Sequence, residues 1–252
     1  IAFSLINAGI PFVSNEKIPS CYEHWIFRDI QAYYHVANQQ FKSRDLYKVF
    51  SLYFLADPAY LEVGLNREKL RRRAYLLNKE EWKRNRALES ITEMLYTVQK
   101  LKGKSPAEFM KILFLDYERY LKDYAKYRNV DIEELKAVWK RLETDAKKYN
   151  DWKEWGRYIL KYNATIKNAQ QNESGVVLST MHCSKGLEWD TVYIIDCVEG
   201  VTPFKKAVEE DAIEEERRLF YVAMTRAKKS LYLCSYKGKP ESRFIKEIRN
   251  AK

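Results

Sequence analysis

The sequence predicts an α/β protein in which a parallel-sheet domain is interrupted by an all-α insertion. Three short β-rich apolar runs occur at residues 176–178, 192–195 and 231–234, and a helix-like stretch at residues 214–224 lies between the last two. Strands that are apolar on both faces and separated by helices are typical of a parallel sheet. The middle of the chain has helical periodicity and few glycines instead.

These patterns divide the chain into three parts. Residues 1–56 are predicted to be the first part of the α/β domain, residues 57–171 the helical insertion, and residues 172–252 the remainder of the α/β domain. Because few residues precede an extended piece at residues 11–14, the sheet is expected to be incomplete at its start. The sequence has no initiating methionine, which favours a start inside a longer protein.

The first part begins with a short apolar helix. Gly9 is a natural terminator for this helix, since glycine readily adopts a left-handed conformation. Apolar residues at helical spacing then recur between residues 27 and 53, which predicts further helices there.

The insertion contains clear signals for helix starts. Ser105 and Glu108 form a capping box with a proline at the first helical position between them. Asp131 is predicted to begin a second helix, and Asn150 or Asp151 to cap a third. No internal repeat is evident.

The net charge of +10 favours nucleic acid as a partner. Most of the excess lies in the insertion, where residues 66–104 contain 12 basic and five acidic residues. A solvated helix face and a surface that contacts the phosphates of duplex DNA both fit this pattern. The arginines of that possible duplex contact are Arg71, Arg72, Arg73, Arg84 and Arg86.

The sequence favours a reduced, cytoplasmic location without membrane contact. No run approaches the roughly 20 apolar residues that a membrane span requires. The four cysteines are widely spaced and form no Cys-x-x-Cys pair that would suggest a zinc or redox site. No metal site is predicted in this chain.

Polar residues follow the predicted strand at 176–178, and ligands of open α/β sheets bind at the carboxyl ends of strands. Lys185 offers a cation beside Gly186, which permits close approach of the backbone to a ligand. Glu188 can accept a hydrogen bond from a sugar hydroxyl. A capped helix start is the structural alternative for this segment.

The predicted helix at 214–224 begins with three glutamates and ends beside Arg226. Acids at a helix start and a cation at its end complement the helix dipole, which gives these charges a structural explanation. The functional alternative for Arg226 is phosphate binding, because a guanidinium is permanently charged and has a planar fork of donors.

Four motifs carry a resemblance to a known family. The motif T-x-H-x-x-K-G-L-E is matched by Thr180, His182, Lys185, Gly186, Leu187 and Glu188, and E-G-x-x-P is matched by Glu199, Gly200 and Pro203. The motif E-E-E-R-R-x-x-Y-V-A-x-T-R-A is matched without a gap by residues 214–227. A final segment, residues 242–245, is similar to S-R-F-L. Residues 9–12, Asp29, Ala32 and Tyr33 are similar to the entry of the same domain. In these motifs the chain resembles the UvrD/Rep family of superfamily 1 helicases.

The resemblance implies the second RecA-like domain, of the P-loop NTPase type, of an ATP-dependent DNA helicase that moves 3′ to 5′. It implies ATP with Mg²⁺, single-stranded and duplex DNA, and a first RecA-like domain as partners. The implied roles are an arginine finger for Arg226, ribose contact for Gly186 and Glu188, single-strand contact for His182 and Thr180, and coupling of nucleotide state to domain closure for Lys185, Arg217 and Arg218. The pathway among repair, replication and recombination stays open.

The sequence contains no G-x-x-x-x-G-K-[ST] motif. The P-loop and the Mg²⁺ ligands are therefore expected on the missing amino-terminal domain, and this chain alone is expected to be inactive as an ATPase. Two alternatives remain at this point: the motor part of a helicase–nuclease, and a DNA-binding module without ATPase activity.

Overall fold

The computed structural model describes residues 1–14, 16–169 and 174–250. Its helices in chain order are α1 (Ala2–Asn7), α2 (Trp25–Ala37), α3 (Ser43–Leu52), α4 (Pro58–Leu61), α5 (Arg67–Leu77), α6 (Glu81–Leu101), α7 (Pro106–Arg128), α8 (Ile132–Ala146), α9 (Trp152–Asn168), α10 (Glu210–Met224) and α11 (Arg243–Asn250). Its strands are β1 (Phe12–Val13), β2 (Val176–Val177), β3 (Trp189–Ile194) and β4 (Ala227–Leu233). None of these helices is long and apolar enough to cross a lipid bilayer.

The chain divides into two compact units. The α/β unit comprises Ile1–Lys17 and Ala169–Lys252, and the helical unit comprises Ile18–Asn168. This division differs from the predicted boundary at residue 56, because α2 and α3 belong to the helical unit. Their apolar faces are buried there, with α2 packed against α3, α6 and α8. The predicted boundary at residue 171 lies outside the described residues.

The strands of the α/β unit pair in parallel, β1 with β2 and β3 with β4. The predicted α/β class and parallel pairing are therefore confirmed. The described strands form two two-stranded sheets rather than one continuous sheet. Gly175 lets β2 begin close to β1: its φ is +141°, and a Cβ there would lie 2.6 Å from the Pro11 carbonyl oxygen.

The β3–β4 sheet is buried on one face only, although its strands carry apolar residues on both faces. Ile194 packs with Phe220 of α10 and Phe244 of α11 in the core. On the opposite face Tyr193 and Tyr232 stack with ring centroids 4.6 Å apart and are 63% and 49% exposed. Alternating side chains of a strand point to opposite faces, so one covering layer of helices buries only every second residue.

The β3–β4 pair contains an irregularity near its start. Trp189 is opposite Ala227 but Thr191 is opposite Ser230, so β4 has one residue more than β3 between these pairs. A β-bulge of this kind leaves one residue unpaired and bends the strand. Pairing is regular from there to the end of β3.

The helix signals of the sequence correspond to local structure. The Ser105–Glu108 capping box is present at the start of α7, and Asp131 caps α8. Asp151, rather than Asn150, caps α9, since its Oδ1 accepts a hydrogen bond from the Glu154 N–H at 2.8 Å. α1 ends before Gly9, whose φ is +68°.

A buried ionic group lies in the helical unit between α2, α3 and α7. The Asp29 carboxylate accepts hydrogen bonds from Lys48 Nζ at 2.5 Å and from the Tyr117 hydroxyl at 2.8 Å. Burial raises the pKa of Asp29, although both hydrogen bonds oppose this shift. Buried charges are stable only when they are paired and hydrogen-bonded, so this contact ties three helices together.

Candidate functional site

Arg226 and Glu188 are brought together by the parallel pairing of β3 and β4. Each residue immediately precedes its strand, and Trp189 is opposite Ala227 in the register. Both residues therefore lie at the amino ends of the strands. Only the start of the 178–189 segment, which follows β2, lies at the carboxyl end of a strand. Glu188 and Arg226 are therefore neighbours because of strand register, for which a single sequence gives no local signal.

Three hydrogen bonds orient the Arg226 guanidinium, which is partly exposed just after the end of α10. Nε donates to the Val222 carbonyl oxygen at 2.9 Å, Nη1 to the Leu187 carbonyl oxygen at 3.1 Å, and Nη2 to Thr225 Oγ1 at 3.0 Å. Within the described part of the chain none of its hydrogen-bond partners is a carboxylate. The positive charge is thus positioned by neutral groups and not neutralised by them.

Gly186 and Glu188 flank the residue whose carbonyl holds Arg226. Gly186 has φ +84°, and a Cβ at this position would meet no atom within 4 Å. Glycine is therefore favoured here by the positive φ and not by a lack of space for a side chain, and the space beside it is open. The Glu188 carboxylate lies 3.4 Å from Lys228 Nζ, with both side chains about half exposed. Exposed pairs of this kind are weak, so a polar ligand could compete for the carboxylate.

The turn between β2 and β3 exposes Thr180, His182 and Lys185. The backbone N–H and the hydroxyl of Thr180 both donate to the Glu16 carboxylate, at 2.8 and 3.1 Å. The hydrogen bond from the Thr180 N–H is the main cause that lowers the pKa of Glu16. Sequence reasoning missed Glu16, because it precedes the motif by 164 residues and belongs to no motif itself.

The sequence predicted that the glutamates at 214–216 begin a helix, and this prediction is wrong. α10 begins four residues earlier, at Glu210, so Glu210 and Asp211 occupy the first turn. The three glutamates instead accept hydrogen bonds: Glu214 from Arg217, Glu215 from Arg218 and Glu216 from the Phe204 N–H. Their role in this fold is local pairing rather than complementing the helix dipole.

Arg217 and Arg218 differ in how firmly they are held. Arg217 also donates to both carboxylate oxygens of Glu247, at 3.0 and 3.1 Å, and thereby joins α10 to α11. These hydrogen bonds, with the one to Glu214, raise the pKa of Arg217. Arg218 pairs only with Glu215 among the described residues and is 73% exposed.

A second ion pair ties the E-G-x-x-P motif to the last helix. The Glu199 carboxylate accepts from the guanidinium of Arg243 at 3.0 Å, and Arg243 begins α11. Both residues stand in motifs of the sequence, but neither motif indicates that they contact each other. Bidentate pairing of arginine and carboxylate fixes orientation as well as distance, so this pair is a structural anchor.

The five arginines of the possible duplex contact all lie on α5 and α6 in the helical unit. Arg71 and Arg72 are exposed, and Arg73 lies 3.4 Å from Glu62. The guanidinium carbons of Arg84 and Arg86 lie 5.2 Å and 5.1 Å from the ring centroids of Tyr75 and Phe54. The two helices pack against each other and form a helical hairpin that carries these charges.

The described residues contain no cluster of three or more His, Cys, Asp or Glu side chains that could hold a metal ion. The described side chains therefore provide no set of carboxylates for a Mg²⁺ ion. All four cysteines are free, and Cys197 is fully buried in the core of the α/β unit.

Comparisons with known proteins agree with the motifs. A family model described as the UvrD-like helicase C-terminal domain matches residues 65–238. The putative ATP-dependent DNA helicase YjcD of Bacillus subtilis is 29% identical over 243 residues, which cover 91% of this chain and 31% of that protein. The ATP-dependent DNA helicase Rep of Buchnera aphidicola subsp. Baizongia pistaciae is 31% identical over 189 residues, covering 64% and 28%.

A further relative, the ATP-dependent DNA helicase PcrA of Bacillus subtilis, is 43% identical over 93 residues, which cover 31% of this chain and 13% of that protein. The matched part of the chain thus spans less than a third of the length of each of these relatives. The family model covers more than half of the chain, including both segments around Glu188 and Arg226. The chain belongs to the UvrD-like helicase C-terminal domain family.

Proposed function

We propose that this chain is the carboxy-terminal part of an ATP-dependent DNA helicase or translocase that moves 3′ to 5′. In this proposal the α/β unit is a second RecA-like domain, which supplies half of an ATP-binding cleft. Family membership and the names of the relatives support the class of enzyme. The observation that carries the proposal is the Arg226 guanidinium, oriented by neutral oxygens beside Leu187.

Arg226 would act as an arginine finger on the γ-phosphate of ATP held by a first RecA-like domain. A guanidinium supplied across such a cleft stabilises the charge that develops during phosphoryl transfer. Gly186 and Glu188 would contact the ribose, and the Leu187 carbonyl between them links this contact to the finger. The P-loop and the Mg²⁺ ligands would come from the first domain, so the 252-residue chain alone should not hydrolyse ATP.

The polar turn after β2 would contact single-stranded DNA through Thr180 and His182, which are exposed. Lys185, Arg217 and Arg218 would couple the nucleotide state to closure of the cleft. The arginines of α5 and α6 would contact duplex DNA, since their charge and exposure suit the phosphate backbone.

Arg226→Ala in the complete helicase tests the proposal. Turnover of ATP should fall by about 10³-fold or more, because an arginine finger contributes that much to phosphoryl transfer. Arg226→Lys should also be strongly impaired, since an ammonium lacks the planar fork. Arg249→Ala removes an exposed arginine paired with Glu241 and should leave turnover unchanged. Near-normal turnover of the Arg226→Ala enzyme would refute the finger assignment.

A further inference from the structure

Two exposed aromatic rings, Trp82 of α6 and Phe54 in the turn after α3, each lie beside a cation of α6. Trp82 is 61% exposed, and Lys83 Nζ lies 5.3 Å from its ring centroid. Phe54 is 65% exposed, and the Arg86 guanidinium lies 5.1 Å from its ring centroid. Trp82 and Arg86 are four residues apart on α6, so they are neighbours on one face. These four residues form the ring–cation strip.

Phe54 has an unusual backbone conformation as well as an exposed ring. Its φ is +59°, which is uncommon for a bulky residue. Because the ring is exposed, its burial contributes little free energy to offset the cost of this backbone conformation. Exposed rings on the same face as cations are typical of binding surfaces.

The charges around the strip favour an anionic partner. Residues 71–86 contain seven basic and two acidic side chains. Glu80 lies 2.8 Å from Lys83, but both side chains are about half exposed and such a pair is weak. One turn beyond Arg86 the same face continues with Glu89, so the cationic part is short.

We propose that the ring–cation strip binds single-stranded nucleic acid, with bases stacked on Trp82 and Phe54 and phosphates next to Lys83 and Arg86. Each ring has its own cation, Lys83 for Trp82 and Arg86 for Phe54, and the two cations lie within one turn of α6. This pairing of a ring with a cation suits a base that carries its own phosphate. Unpaired bases can stack on aromatic side chains, whereas the bases of a duplex are not available for it.

This site shares Arg86 with the proposed duplex contact and differs from it in using the rings of Trp82 and Phe54. It needs neither ATP nor Arg226. It depends only on the helical unit, so a failure of the motor proposal leaves it intact. It assigns a function to Trp82, Lys83 and Phe54, which no motif of the sequence includes.

The test measures binding of the 252-residue chain, without nucleotide, to three fluorescein-labelled probes of equal length. These are an oligothymidylate, an abasic oligonucleotide with the same phosphates, and a duplex. Trp82→Ala and Phe54→Ala should each weaken oligothymidylate binding by about tenfold, the effect of losing one stacked base. Binding of the abasic probe and of the duplex should stay within about twofold, because the phosphate contacts remain.

Two further variants make the result specific. Trp82→Phe keeps a ring and should retain most of the affinity for oligothymidylate. Tyr75→Ala removes an equally exposed ring that lies 5.2 Å from Arg84 on another face of α6, and it should have little effect. The proposal would be overturned if Tyr75→Ala weakened oligothymidylate binding as much as Trp82→Ala does, or if Trp82→Ala weakened binding of the abasic probe equally. Tighter binding of an acidic leucine-containing peptide than of oligothymidylate would also overturn it.

Discussion

The Nη1 of Arg226 donates a hydrogen bond to the carbonyl oxygen of Leu187, 3.1 Å away, and the N–H of Trp189 donates to the carbonyl oxygen of Arg226 at 2.9 Å. The two segments with the strongest motifs are therefore linked by one side-chain and one backbone hydrogen bond, in opposite directions. A change in the position of Glu188, which lies between Leu187 and Trp189, is transmitted to the guanidinium. In the proposed enzyme, this contact would link ribose binding to placement of the finger.

Thr225→Val should reduce ATP turnover of the complete helicase by about tenfold, with little change in KM for ATP. The Thr225 hydroxyl accepts a hydrogen bond from Arg226 Nη2 at 3.0 Å, and loss of such a bond to a charged group costs about 1.5 kcal/mol. Thr225→Ser keeps the hydroxyl and should be nearly normal. Steady-state kinetics measure the effect: near-normal turnover of the Thr225→Val enzyme would show that this hydrogen bond does not position the guanidinium.

Glu16→Gln should strengthen binding of single-stranded DNA by about twofold to fivefold, the range of a weak exposed charge interaction. The Glu16 carboxylate occupies the N–H and hydroxyl of Thr180, which are donors that a phosphate could use, and it adds a negative charge beside them. Fluorescence anisotropy at several salt concentrations measures the change. Weaker binding would instead identify Glu16 as a residue that holds the turn in its binding conformation.

Replacing Arg71 and Arg72 with glutamate should weaken duplex binding and flatten its salt dependence. Each lost phosphate contact should reduce the slope of log K against log salt by about 0.9. The matched control is Lys153→Glu on α9, which reverses an exposed charge of the same unit outside residues 66–104. Equal slopes for the two variants would leave the arginines as a solvated helix face.

Lys48→Met should destabilise the helical unit by about 1–3 kcal/mol near pH 7, since it leaves the buried Asp29 carboxylate without its cation. Burial raises the pKa of Asp29 above its value in the unfolded chain. The cost of the charged carboxylate therefore appears as pH rises through this raised pKa and is relieved below it. The destabilisation should be clearly smaller near pH 4, where more of the carboxyl is protonated.

Urea unfolding followed by tryptophan fluorescence measures this effect, since five of the six tryptophans lie in the helical unit. Lys136→Met is the matched control: Lys136 is as exposed as Lys48, but its partner Glu118 is 33% exposed rather than buried. Lys136→Met should lower the free energy of unfolding much less than Lys48→Met does at both pH values. A Lys48→Met cost that is independent of pH would argue against the raised pKa of Asp29.

Local signals in the sequence predicted much of the fold. The capping box at Ser105, the cap at Asp131 and the parallel strands depend on residues close together in sequence or on simple periodicity. The boundary predicted at residue 56 differs from the division into compact units, because helical periodicity does not say which core a helix joins. α2 and α3 have apolar faces that fit either domain, and tertiary packing places them in the helical unit.

The candidate site was predictable in its residues but not in its contacts. Arg226, Glu188 and Gly186 stand in recognisable motifs, whereas the hydrogen bond from Arg226 to Leu187 depends on strand register. The contact of Glu16 with Thr180 joins segments 164 residues apart. Long-range contacts of this kind follow from tertiary structure, and a single sequence carries no local signal for them.

Because of the bulge near the start of β4, the position of Arg226 depends on the number of residues in this strand. β4 has one extra residue between Ala227 and Ser230. Because of it, the start of β4 beside Arg226 and the later part that enters the core can both pair correctly with β3. Removing one residue here would force a choice between the two. Either Tyr232 would turn inward toward the helices, or Arg226 would be drawn about 3 Å along the sheet, away from Leu187. Deletions in this strand should therefore be far less tolerated than conservative substitutions of Lys228 or Lys229.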